Sequence, residues 1–121
     1  MEPILLIEFI KPQDFYEVIF ENQRYKIVGK FDVGNLIGQD NTDTVSCLEE
    51  EPSNVRYIAN NLEVFVAQLA QYKEYVEKSE ADWEKCLAEF RESIMNLDAN
   101  AFRDEENFWS VIVEQMEYGL L

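Results

Sequence analysis

Histidine is absent from this chain, and basic side chains are scarce. Ten lysines and arginines stand against 25 aspartates and glutamates among 121 residues, a net charge of −15 at pH 7. Without histidine, Ser-His-Asp and Cys-His catalysis and most zinc catalysis are excluded. Nucleic acids and anionic membranes are bound by clustered lysine and arginine. We therefore expect neither as a partner.

Cysteine is also scarce, and long apolar runs are missing. Cys47 and Cys86 stand apart without C-x-x-C spacing, which favours two reduced thiols over a disulfide. No stretch approaches the ~20 apolar residues of a membrane span. Residues 1–10 lack the basic start and the cleavage site of a signal peptide. These absences predict a soluble, cytoplasmic protein.

Apolar residues are plentiful enough for a core. They make up 47% of the chain and aromatic residues 13%, which is richer than a disordered acidic segment. Two separate cores would leave each half too small to be stable alone. We predict a single folded domain over residues 1–121.

The first half of the chain has strand and turn patterns. The apolar run at residues 4–10 predicts a strand covered on both faces. Residues 15–20 and 24–28 flank Asn22, a spacing typical of a hairpin. Further short strands are predicted at residues 44–48 and 55–58. The glycines between these segments are predicted to lie in turns: Gly29, Gly34 and Gly38.

The second half has helical periodicity. Apolar stripes at three- and four-residue spacing predict three helices. The residues predicted to begin them are Asn60, then Ser79 with Asp82, and then Asp104, Glu105 and Glu106. Gly119 is predicted to end the last helix. The predicted fold class is α+β, with a mostly antiparallel sheet from the N-terminal half packed against about three C-terminal helices.

Carboxylates are the only plentiful reactive groups, and their spacing marks no pair for catalysis. Residues 40–43 lack the ligand progression of a calcium loop, and no Lys-Ser/Thr follows the glycines as in a phosphate-binding loop. We expect no catalytic residue, metal or cofactor. A carboxylate-dependent hydrolase remains an alternative, which a deep pocket with two convergent carboxylates would support.

The acidic residues are unevenly distributed. Residues 31–55 contain six acids and no base, and five acids without a base follow Arg103. Residues 1–30 are nearly balanced, with five acids and four bases. Solubility alone explains a negative surface, but segregated charge of one sign also favours binding to a cationic protein.

Several segments resemble the SUKH superfamily. Residues 26–35 and 43–45 are similar to its strand–turn–strand core, and residues 55–65 to its junction between a strand and a helix. The C-terminal stretch from residue 97, with an Asp at its start and a Trp in the last helix, looks like the ending of one bacterial immunity-protein subfamily. The resemblance covers about residues 24–121.

The resemblance implies a function without catalysis. Similar bacterial proteins bind and neutralise a cognate polymorphic toxin, frequently a nuclease or a deaminase. We expect occlusion of the active site or substrate groove of a basic toxin; a non-toxin adaptor of the same fold is the alternative.

The partner-binding residues are predicted from charge clustering and from aromatic residues expected to be exposed. They are Asp40, Asp43, Glu49, Glu50, Glu51, Tyr57 and Tyr72. The oligomeric state is left open between monomer and dimer, although an exposed edge strand from the first hairpin would allow dimer formation.

Overall fold

Six antiparallel strands and three helices form the computed structural model, which describes residues 7–32, 34–50, 52–78 and 82–118. The elements in chain order are β1 (Ile7–Phe9), β2 (Tyr16–Phe20), β3 (Gln23–Phe31), β4 (Asn35–Gln39), β5 (Val45–Glu50), β6 (Ser53–Ala59), α1 (Leu62–Lys78), α2 (Trp83–Leu97) and α3 (Phe108–Glu117). The strands are ordered β1-β3-β4-β5-β6, and β2 pairs with β3 as well. The predicted α+β class is confirmed.

The hairpin of β2 and β3 turns at Glu21 and Asn22, whose φ angles are 50° and 66°. Two left-handed residues in a two-residue loop form a type I′ turn, which matches the twist of the strands. Side chains alternate along each strand, so the sheet has two apolar faces. The hairpin contributes residues to the face away from the helices. In β4, Ile37 contacts the helix-side core and Leu36 contacts the hairpin-side core. That second core contains Tyr25, Ile27 and Leu48, with Val18, Phe20, Leu36 and Val55 packed around them.

The main core lies between the sheet and the three helices. Trp109 of α3 is fully buried there, and its ring contacts Phe90 of α2 at 5.7 Å between centroids. The indole Nε1 donates to Oε1 of buried Gln68 at 2.8 Å, and Gln68 Nε2 donates to the Ile58 carbonyl at 3.4 Å. This chain of hydrogen bonds satisfies polar atoms that burial would otherwise penalise, and it links α3, α1 and β6.

Two glycine predictions are wrong. Gly34 does lie in the turn after β3, with φ +90°. Gly29 and Gly38 instead lie inside β3 and β4. A Cβ at Gly38 would lie 3.1 Å from both Leu48 Cδ1 and Tyr25 Cβ. Close packing against Tyr25 and Leu48 therefore favours glycine at this position.

The prediction for the first strand also needs correction. Only residues 7–10 of the predicted segment lie within the described part of the chain, and β1 covers Ile7–Phe9. Glu8 and Phe9 are exposed, so this strand is not covered on both faces. The reason is its position: β1 pairs with the last residues of β3 at the edge of the sheet.

Helix starts differ from prediction in two of three cases. Asn61, and not Asn60, caps α1, since its Oδ1 accepts the Val64 N–H at 2.9 Å. Asp82 caps α2 as predicted by accepting the Lys85 N–H, while Ser79 lies outside the described residues. The third helix begins at Phe108, later than predicted.

The late start of α3 has a local cause. The Asp104 carboxylate accepts the Glu106 N–H at 2.8 Å, and the Asp104 carbonyl accepts from Ser110 Oγ at 2.8 Å. A carboxylate that binds a backbone N–H two residues ahead stabilises a turn in place of a helix. Gly119, the predicted helix end, lies outside the described residues.

Candidate functional site

The predicted acidic site residues do not form one patch. Asp40 and Asp43 lie before β5, whereas Glu49 and Glu50 lie at its other end. At about 3.3 Å per residue, Asp43 and Glu49 are about 20 Å apart. Glu51 lies outside the described residues.

Asp40 stabilises the turn that precedes β5. Its Oδ1 accepts from the backbone N–H groups of Thr42 and Thr44 at 2.8 and 3.1 Å, and from Thr42 Oγ1 at 2.7 Å. Asp43 has φ 69°, and its carbonyl accepts from Gln39 Nε2 at 3.1 Å. The Asp40 carboxylate and the Asp43 backbone therefore stabilise the turn between β4 and β5.

Arg56 of β6 organises the opposite end of β5. Its Nε donates to both carboxylate oxygens of Glu49 at 3.1 Å. Its Nη1 donates to Glu106 twice, to Oε2 at 2.9 Å and to the carbonyl at 2.7 Å. Burial opposes the charged form of Arg56, but the hydrogen bonds to Glu49 and Glu106 outweigh it and raise the pKa of the guanidinium. One arginine thus joins the two acid-rich segments, which are far apart in sequence.

Further acids lie at the same end of the sheet. The register pairs Phe31 with Asn35, so Asp32 follows β3 in the turn next to the ends of the strands. The Phe31 ring contacts the Phe108 ring at 5.2 Å, which places the start of α3 and the turn before it over this end. We call this surface the acidic end; its residues are Asp32, Glu49, Glu50, Asp104, Glu105 and Glu106.

The acidic end is mostly exposed and only partly neutralised. Asp32, Glu50 and all three acids before α3 are exposed, while Glu49 is half-buried against Arg56. Among the described residues, the ion pairs of this surface all involve Arg56. Its net charge therefore stays strongly negative, and a cationic protein surface is its natural complement.

The two tyrosines expected to be exposed are not. Tyr57 is half-buried, with its hydroxyl oxygen 2.5 Å from Asp98 Oδ2 and 2.8 Å from Asn60 Oδ1. Burial and then the contact with Asp98 raise its pKa. Tyr72 is 6% exposed, within the helix-side core, and its hydroxyl has no hydrogen-bond partner among the described residues. Burial raises the pKa of Tyr72 to about 12. Residues on the helical stripe proved to be core, so Tyr72 is inaccessible to a partner.

Asp98 is a buried carboxylate that the sequence analysis did not single out as a site residue. It is 2% exposed and accepts from Asn60 N and Nδ2 at 3.1 and 3.2 Å and from Asn100 N at 2.9 Å. With the Tyr57 hydroxyl, these donors replace the water that a carboxylate loses on burial. Asp98 thereby fastens the start of the α2–α3 connection, which carries half of the acidic end, to the β6–α1 junction.

Arg56 was also missed, although the sequence contained a signal. It is the first base after the run of acids at residues 31–55, and it lies in a predicted strand. A single cation beside many acids is positioned to pair with several of them.

The described part of the chain offers little support for the enzyme alternative. An open depression of about 680 Å³ lies between the hairpin and the β4–β5 turn. Both of its acids already have partners: Glu17 lies 3.8 Å from Arg24, which also lines the depression, and Asp40 accepts hydrogen bonds within its own turn. Within the described ranges, no three acids or cysteines are grouped to hold a metal ion. No described helix is long and apolar enough to cross a membrane.

Comparison with known families identifies the chain. The model of the SUKH-4 immunity protein family matches residues 5–115. The chain belongs to the SUKH-4 immunity protein family. No curated protein and no solved structure gave a significant match to it. Membership of this family implies an immunity function and binding to a cognate toxin protein. Immunity proteins of this kind are generally not enzymes.

Proposed function

We propose that this SUKH-4 protein neutralises its toxin by placing the acidic end against a basic surface of that toxin, so that the toxin's active site or substrate groove is occluded. The observation that carries the proposal is the contact of Arg56 with both Glu49 and Glu106. That contact collects acids from two distant segments on one surface. A nuclease or a deaminase, which must attract nucleic acid, would offer a matching cationic groove.

The roles within the surface differ. Glu50, Glu105 and Asp32 are exposed and supply the charge that steers a cationic partner. Glu49 is held by Arg56 and contributes shape and hydrogen-bonding oxygens. Tyr57 is half-buried and follows Arg56 on β6, and we retain it as a rim contact. Asp40 and Asp43 lie at the far end of β5, so we place them outside the central contact.

The experiment measures affinity for the toxin encoded by the adjacent gene, after co-purification of the two proteins. The double variant Glu50→Lys with Glu105→Lys reverses two exposed charges of the acidic end. The matched control, Glu92→Lys with Glu114→Lys, changes net charge by the same amount on exposed positions of α2 and α3. We expect at least about a tenfold weaker Kd and a smaller salt dependence for the first variant only.

Other outcomes discriminate between the alternatives. Equal effects of both variants would show that overall charge, and not the acidic end, governs association. A stable complex that leaves toxin activity intact would contradict occlusion. Failure to bind the toxin or to rescue growth from it, with binding to another host protein, would favour the adaptor.

A further inference from the structure

The outer edge of β2 has backbone groups that no described strand pairs with. In a hairpin with a two-residue turn, the residues that flank the turn form a hydrogen-bonded pair, and such pairs recur at every second position. The register pairs Phe20 with Gln23, Val18 with Tyr25, and Tyr16 with Ile27. The N–H and C=O groups of Glu17 and Ile19 therefore point away from β3. Within the described part of the chain, no strand pairs with them.

Among the described residues, this edge has none of the usual protection against association. Proteins guard exposed edges with lysine, proline, bulges or a covering segment. Strand β2 contains neither lysine nor proline, and its one charge, Glu17, lies 3.8 Å from Arg24 of the neighbouring strand. Ile19 is 73% exposed and Tyr16 is 43% exposed. An apolar side chain as open as Ile19, in the middle of an unpaired edge, leaves room for another strand to cover it.

Charge identifies the part of the molecule on which two copies can meet. The whole chain carries −15, which opposes self-association almost everywhere. Residues 11–30, which contain the hairpin, hold four bases and three acids, a local charge of +1. Like-charge repulsion between two copies is therefore much weaker across the hairpin than across the acidic end.

We propose that β2 pairs with β2 of a second copy, antiparallel and about a two-fold axis at Val18. In this register the backbone of Glu17 meets that of the second copy's Ile19, and the reverse, so all four outward N–H and C=O groups of each strand edge are satisfied. Val18 faces Val18 as the close, non-hydrogen-bonded pair.

The side chains agree with this register on both faces. On one face, each Tyr16 meets Phe20 of the other copy beside the two valines, which extends the hairpin-side core. On the other face, Glu17 lies between Lys26 of its own β3 and Ile19 of the second copy, and Arg24 follows in the next row. No acid faces an acid. A two-fold contact of this kind closes on itself and yields a dimer and not a fibre.

The first test is the mass in solution by sedimentation equilibrium over a concentration series. The wild type should change from the 14.3 kDa monomer to twice that mass as concentration increases. The dimer fraction should also increase with added NaCl, because salt screens the remaining repulsion between two anionic chains. Ile19→Lys should keep the monomer mass at all concentrations. Val66→Lys, a control at a 52% exposed position of α1, should dimerise like the wild type.

The second test is a cross-link at the two-fold axis. Non-hydrogen-bonded pairs have Cα atoms about 4.5 Å apart, within the range that a disulfide bridges. Val18→Cys in a Cys86→Ser background should form a disulfide-linked dimer under mild oxidation, whereas Val66→Cys in the same background should not. Circular dichroism checks that each variant is folded.

Several results would overturn the dimer. They are a wild type that stays monomeric throughout, an Ile19→Lys variant that dimerises normally, or equal cross-linking at positions 18 and 66. If the wild type is monomeric and Ile19→Lys instead loses affinity for the toxin, the edge receives a toxin strand and the dimer is refuted. None of these results depends on whether the acidic end binds the toxin.

Discussion

Replacing Arg56 with methionine should destabilise the fold by about 3 kcal/mol. Methionine keeps most of the apolar stem, so the variant removes the guanidinium and its contacts. Both partners in the Glu49 pair are at most a quarter exposed, and a charged hydrogen bond in such a place contributes about 2 kcal/mol. The bond to the Glu106 carbonyl adds about 1 kcal/mol. Glu106 Oε2 belongs to a side chain that is 68% exposed, so that ion pair adds at most about 0.5 kcal/mol.

The assay is equilibrium unfolding in urea. With a slope of about 1.5 kcal/mol per molar, the midpoint of Arg56→Met should fall by about 2 M. Arg24→Met is the matched control, because Arg24 is 73% exposed and lies 3.8 Å from an exposed glutamate. That variant should stay within about 0.5 kcal/mol of the wild type.

A double variant isolates the interaction between Arg56 and Glu49. Once Arg56 is removed, Glu49 is a half-buried carboxylate without its cation, and Glu49→Gln removes that charge. Arg56→Met with Glu49→Gln should therefore be less destabilised than the sum of the two single variants. If Arg56→Met unfolds at the same urea concentration as Arg24→Met, Arg56 does not organise the acidic end.

Three further predictions concern buried polar groups. Asp98→Ala should lower the free energy of unfolding by about 2–4 kcal/mol, since it leaves the Asn60 and Asn100 donors unpaired; a change below about 1 kcal/mol in urea unfolding would contradict this role. Tyr72→Phe should be neutral or stabilising in a thermal melt, because the lost hydroxyl has no described partner, whereas Tyr57→Phe should lower Tm. Burial raises the pKa of the Cys47 thiol to about 12. Iodoacetamide at pH 8 should therefore label Cys86 much faster than Cys47 in the folded protein. Equal labelling of the two cysteines would refute the burial of Cys47.

A pH titration extends the comparison of the tyrosines. The folded pKa of Tyr72 is about 12, above its ordinary value of 10.0, so the neutral form is favoured by folding. Ionisation of Tyr72 should therefore leave stability unaffected below pH 10 and lower it as pH rises from 10 to 12. Tyr72→Phe should therefore lose less stability than the wild type over that interval, as measured by urea midpoints.

Local features could be predicted because they depend on residues close in sequence. The hairpin follows from two strand-forming segments around Asn22, whose left-handed backbone is easily adopted by asparagine. The stripe of Phe108, Trp109 and Ile112 predicted the buried face of α3. Asp82 was recognisable as a cap because its partner, Lys85, is three residues away.

Helix starts could be predicted less precisely where two neighbouring residues could both act as the N-cap. Asn60 and Asn61 can both cap a helix, and spacing did not distinguish them. The structure assigns Asn61 to α1, because Asn60 is engaged by Asp98 at the start of the α2–α3 connection. Competition between a local cap and a distant carboxylate is visible only when both are in place.

By itself, the sequence determined the α+β class, the absence of histidine chemistry and the segregation of acids into two segments, because composition and short-range periodicity carry this information. Only the tertiary structure decided how those acids are arranged. The path of the chain separates Asp43 from Glu49 along β5 and brings Glu106 to Arg56 across 50 residues. Long-range contacts of this kind depend on strand register and on the direction of α2 and α3, which no local pattern specifies.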